Sequence, residues 1–210
     1  MSGIISSSVL AVFVPTFFMV SLTPGMCMTL AMTLGISIGV RRSLWMMIGE
    51  LLGVGLVATA AATGVASVML TYPEMFVALK LLGGAYLAWL GLQMWRSQGS
   101  MAISLDTEAS AAISPKALFM QGLVTAIANP KGWAFFIALL PPFLNPDSAL
   151  LPQLSVLIAI ILSLELLCML IYATGGKTLR ALLAKEGSVV VLNRIAGTMM
   201  LGVGVWLALG

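Results

Sequence analysis

Two tripeptides place a helix breaker and polar neighbours inside long apolar runs: Thr23-Pro24-Gly25 and Asn129-Pro130-Lys131. Asn and Thr are favoured helix N-caps, and Pro suits a first helical position, where its missing N–H costs nothing. Each tripeptide reads as a helix start set within an apolar span. The half-helix that follows has free amino-terminal amides that attract an anion. Thr23, Pro24, Gly25, Asn129, Pro130 and Lys131 are therefore candidate ligand-binding residues, with Lys131 adding an ammonium beside the second start. Glu50 in "GELLG" and Glu165 in "LELLC" also lie in apolar surroundings. An acid in low dielectric resists ionising, so both are candidates for carrying a proton or meeting a ligand ammonium. Glu165 is the favoured carrier, because its helix lacks the glycines that follow Glu50 at Gly53 and Gly55. A purely structural alternative is a fixed ion pair between Lys131 and one glutamate, with Thr and Asn satisfying carbonyls freed by proline. One cation and two acids still leave an acid over.

Such residues need an unusual solvent. Of the 210 residues 60% are hydrophobic and 8% charged, against about 25% charged in soluble domains. A mean hydropathy of +1.11 cannot be spread over a water-facing surface. The solvent is a lipid bilayer. The chain has no histidine, so His-based metal sites and His-based acid–base chemistry are impossible. No metal or other cofactor is expected. The formal charge of +3 is too scattered for a nucleic-acid face.

A spanning helix needs about 20 largely apolar residues. Six runs qualify: Ile4–Leu34, Leu44–Leu70, Met75–Trp95, Ala117–Phe143, Leu150–Ala173 and Val189–Leu209. They predict an all-α integral membrane protein with one transmembrane domain over 1–210. Spans one and four would be broken at Pro24 and Pro130. The first run has no Lys or Arg before it and reads as a retained span rather than a signal peptide. Arg41, Arg42, Arg96, Lys116, Lys177, Arg180 and Lys185 fall in the links after spans one, three and five. Positive charge marks the cytoplasm, so both termini are expected outside. Trp45, Tyr72, Trp95, Tyr172 and Trp206, near span ends, read as an interfacial belt. The polar segment 97–115 reads as a flexible cytoplasmic loop between the halves 1–96 and 116–210.

Those halves resemble each other. "SLTPGMCMTLAMTL" (21–34) lies against "AIANPKGWAFFIAL" (126–139), matching Pro24 to Pro130. "LLGGAYLAWLG" (81–91) lies against "RIAGTMMLGVG" (194–204), matching Gly84 to Gly197 and Gly91 to Gly204. With three spans each, the halves must enter from opposite faces. The expected architecture is two inverted three-helix repeats, in which discontinuous helices commonly build a midplane substrate site.

"TPG" at 23–25, "GE" at 49–50, "ALKLLGGAYLAWLG" at 78–91, "NPK" at 129–131 and "LE" at 164–165 together resemble the LysE/RhtB family of amino-acid exporters over nearly the whole chain. The resemblance implies export of amino acids from the cytoplasm across the inner (plasma) membrane in exchange for protons, by a homodimer. The family commonly carries Pro-Gly-Pro in helix one, whereas Met26 here replaces the second proline. An alternative reading is a membrane thiol–disulfide electron carrier using Cys27 and Cys168.

Overall fold

The computed structural model of the chain describes residues 5–96, 113–140, 143–145, 148–183 and 188–209. Most of the segment 97–115 lies outside the described residues, as do the side chains of Pro130, Lys131, Lys177, Arg180 and Trp206. All secondary structure elements among the described residues are helices. In chain order they are α1 (Ser7–Leu22), α2 (Met26–Ser37), α3 (Val40–Thr71), α4 (Pro73–Arg96), α5 (Pro115–Ile127), α6 (Pro130–Leu139), α7 (Leu150–Leu183) and α8 (Ser188–Leu209).

A proline stands at each of the two interruptions. A residue preceding proline is pushed out of the helical region by its neighbour's ring. Thr23 accordingly takes an extended conformation (φ −66°, ψ 130°) and α1 stops at Leu22. The axes of α1 and α2 then differ by 58°. α5 ends at Ile127, with Ala128 still in the helical region as its C-cap, and the next helix begins on Pro130 itself. The starts of α1 and α5 are capped by serine, Ser6 accepting from the Val9 amide at 3.3 Å and Ser114 from the Ala117 amide at 3.2 Å. These caps satisfy donors that the first turn leaves over.

By length and apolarity, Val40–Gly64 and Leu150–Gly176 can each cross a membrane, and α1 with α2 can do so as one bent pair. The fifth run extends beyond its expected end at Ala173. The helix continues to Leu183 through a kink at Gly176, whose φ of +40° is a conformation that favours glycine.

Packing is closest where glycines let backbones touch. Gly49 of α3 sits on the Phe119 carbonyl of α5, and Gly122 of α5 on the Met46 carbonyl of α3. Gly35 of α2 meets the backbone of Ala173 in α7. The interior divides into two apolar clusters. One is aromatic and branched, with Phe13, Phe17, Val54, Val57, Phe135, Phe136 and Phe143. The other is rich in methionine, with Met28, Met32, Met46, Met47 and Met169. Along α3, Glu50 falls between Met47 of the second cluster and Val54 of the first. Along α7, Glu165 falls between Ile161 of the first and Cys168 of the second. Both acids thus mark one seam.

Candidate functional site

A cavity of about 320 Å³ opens at that seam, lined by residues of both helix interruptions and by both acids. Its polar lining comprises Ser21, Thr23, Cys27, Glu50, Asn129 and Glu165. Five of the eight residues singled out in the sequence, Thr23, Gly25, Glu50, Asn129 and Glu165, thereby line one cavity. Pro24 lies in the break itself, half-buried. Pro130 contributes the first position of α6, and the Lys131 side chain is outside the described residues.

The two acids differ in their surroundings. Glu165 accepts a hydrogen bond from the Ser21 hydroxyl at 2.6 Å. Glu50 is 0% exposed, and among the described residues neither of its carboxylate oxygens has a hydrogen-bond partner. A buried polar group left without a partner carries the desolvation penalty that a ligand or a proton relieves. The first turn of α2 faces the same space through Gly25, Met26, Cys27 and Met28. Its N-cap, Gly25, offers no side-chain acceptor to the amides, so a negatively charged ligand group can take that place.

The break carbonyls are served by aromatic donors. The Tyr172 hydroxyl donates to the Leu22 carbonyl at 2.8 Å, and the Trp133 indole N–H to the Ile127 carbonyl at 2.9 Å. Thr23 turns its hydroxyl back to the Met19 carbonyl at 2.9 Å. Tyr172 is a correction to the expected interfacial belt: it is buried at 1% exposure, whereas Trp45, Tyr72 and Trp95 are indeed exposed. The sequence reading also missed Ser21, Trp133 and the phenylalanines of the wall. The i, i+4 pairing of Phe13 with Phe17 was the available signal for the last.

Cys27 lines the cavity and receives the Asn129 amide N–H at 3.9 Å, while Cys168 is buried in the methionine-rich cluster. Both are free thiols. Among the described residues, no group of three or more Cys, Asp and Glu side chains is placed to hold a metal ion.

Apolar helices interrupted around a partly open cavity, mainly apolar with a few polar groups gathered at the breaks, suit a membrane carrier. The chain belongs to the LysE type translocator family, whose pattern it matches over residues 18–210. Its members are transporters rather than enzymes, which sets the electron-carrier alternative aside. The chain is 31% identical over 193 residues to a homoserine/homoserine lactone efflux protein of Salmonella typhimurium, covering 92% of each chain. It is 29% identical over 188 residues to a membrane protein of Vibrio cholerae, covering 90% of each. A leucine efflux protein of Klebsiella pneumoniae is 27% identical over 128 residues, 60% of this chain and 59% of that one. No solved structure matches the chain.

Proposed function

We propose that the protein exports amino acids from the cytoplasm across the inner membrane by exchange with protons. In this reading six spans form two inverted three-helix repeats with both termini outside. The glycine contacts between α4 and α8 support the repeat. A Cβ on Gly91 would lie 2.6 Å from the Gly197 carbonyl oxygen, and one on Gly204 would lie 2.7 Å from that of Gly84. Under the sequence match of Gly84 with Gly197 and Gly91 with Gly204, each contact is the image of the other. A two-fold relation between halves produces such self-complementary pairs.

The observation that carries the proposal is the buried carboxylate of Glu50, without a hydrogen-bond partner among the described residues, on the wall of the cavity between the two interruptions. Glu50 takes the substrate ammonium in one half of the cycle and a proton in the other. This shifts the role from Glu165, which Ser21 already holds. The substrate carboxylate goes to the first turn of α2, with Asn129 beside it. Lys131, one residue into α6, supplies the counter-charge at the second helix start.

The purified protein in liposomes loaded with L-leucine, L-homoserine and L-lysine tests this. Efflux should carry protons inward, read by a trapped pH dye, and Glu50→Gln should abolish the dye response while Glu165→Gln retains part of it. An unaltered, uncoupler-sensitive response from Glu50→Gln would overturn the assignment.

A further inference from the structure

The cavity has two chemically different ends. Three helices cross it, and each passes from polar to apolar within a few residues. On α3, Glu50 is followed one turn later by Val54 and then by Val57. On α1, Ser21 is preceded one turn earlier by Phe17, with Val20 beside it. Asn129, just before α6, is followed about two turns on by Phe135 and Phe136. One turn is about 6 Å at 1.5 Å per residue. The six apolar residues all belong to one cluster. Phe17 draws their rings together, its centroid 5.7 Å from that of Phe135 and 6.2 Å from that of Phe136. The polar groups lie at the seam with the other cluster.

Resting on the export reading above, we infer that the protein selects neutral amino acids with apolar side chains, aliphatic or aromatic. The α-ammonium and α-carboxylate occupy the Glu50 end, and the side chain extends between Phe17, Val54, Val57, Phe135 and Phe136. The volume of about 320 Å³ falls at the lower end of the range for small-molecule pockets. A second ammonium, as on lysine, would lie against carbon atoms with its hydration removed, at a cost no contact there offsets. A hydroxyl, as on homoserine, suffers the same penalty on a smaller scale and loses roughly tenfold in affinity. A hydrophobic wall gains with each methylene it covers. Of the two substrates that relatives are named for, homoserine and leucine, this wall favours the second.

The experiment is counterflow of radiolabelled L-leucine, L-phenylalanine, L-homoserine and L-lysine in liposomes containing the full-length protein. The expected kcat/KM for leucine or phenylalanine exceeds that for homoserine by roughly tenfold and that for lysine by more. Val54→Thr places a hydroxyl at the apolar end with little change in shape, and should lower the leucine-to-homoserine ratio at least several-fold. Val57→Thr provides the same test if Val54→Thr does not fold. Exchange in which homoserine or lysine equals leucine, or a ratio that neither variant moves, would overturn the selectivity and leave the export reading standing. Failure of all four amino acids to exchange would overturn both.

Discussion

The two helix interruptions look alike in sequence and are held differently in space. At the first, the stabilising donors and acceptors come from a distant helix: α7 supplies Tyr172 to the Leu22 carbonyl and Glu165 to the Ser21 hydroxyl. At the second, the carbonyl is served from the same segment, Trp133 reaching back to Ile127, while the Asn129 amide reaches the Cys27 sulfur of α2. The first break is thus tied to the position of α7, and any displacement of that helix is felt at the end of α1. The second break carries much of its own support. In a carrier, the externally held break is the one suited to change shape as α7 shifts, and the self-supported break is suited to act as a fixed reference. The acid that joins Ser21 lies on α7 itself, so a change in its charge acts on the first break directly.

The largest expected effect probes what seats the second break. Gly122 of α5 lies on the Met46 carbonyl of α3, and a Cβ there would also lie 2.8 Å from the Glu50 amide nitrogen. Both neighbours are backbone and cannot rotate away. Gly122→Val should force α5 off α3 and leave little or no monodisperse protein in detergent, a larger disruption than the roughly 1–3 kcal/mol typical of overpacking. Gly132→Ala, next to the same break, meets only the Asn129 Cβ at 4.0 Å and should be recovered like the parent. Equal yield and melting temperature for Gly122→Val would show that α5 has slack, and the second break would no longer serve as the fixed one.

A middle-sized effect is expected at the first break. Ser21→Ala leaves the buried Glu165 one donor short, which costs about 1–3 kcal/mol. Because Ser21 and Tyr172 tie the same end of α1 to the same helix, their losses should not add. Removing both should differ from the sum of the single changes by about 0.5 kcal/mol or more, measured by thermal unfolding in detergent. Strict additivity would mean that α7 does not hold the break as a unit.

Much of this arrangement was legible in the chain because proline acts on its immediate neighbour. Thr23 is extended before Pro24 and a helix starts on Pro130, and a buried acid in so apolar a chain has few places to go but an interior cavity. What escaped the sequence depends on contacts between distant segments. Tyr172 was assigned to the membrane interface because the apolar run ends beside it, but its ring packs within the methionine-rich cluster with the hydroxyl on the Leu22 carbonyl. Ser21 looks like any serine until α7 brings Glu165 to it. Which glutamate lacks a partner among the described residues is likewise a property of the packed bundle; of the two glycines after Glu50, Gly53 packs on Ala126 and Leu123 of α5, while Gly55 only touches the Leu162 side chain of α7.

The smallest effects give the sharpest test of the contrast. Tyr172→Phe and Trp133→Phe each remove one hydrogen bond to a break carbonyl while keeping most of the aromatic volume, so each should cost about 0.5–1.5 kcal/mol. The carbonyls they serve, Leu22 and Ile127, belong to different helices, and the donors share no partner in the structure. Independent sites add within about 0.3–0.5 kcal/mol. The double variant should therefore melt at the temperature expected from the sum, in contrast to Ser21→Ala with Tyr172→Phe. Function separates the two further. Tyr172→Phe loosens the break tied to α7 and should change the rate of substrate exchange in liposomes, whereas Trp133→Phe should lower stability with a smaller change in rate. Coupling above about 1 kcal/mol between Tyr172 and Trp133 would mean that the two breaks respond as one body, and the division into a moving break and a fixed one would fail.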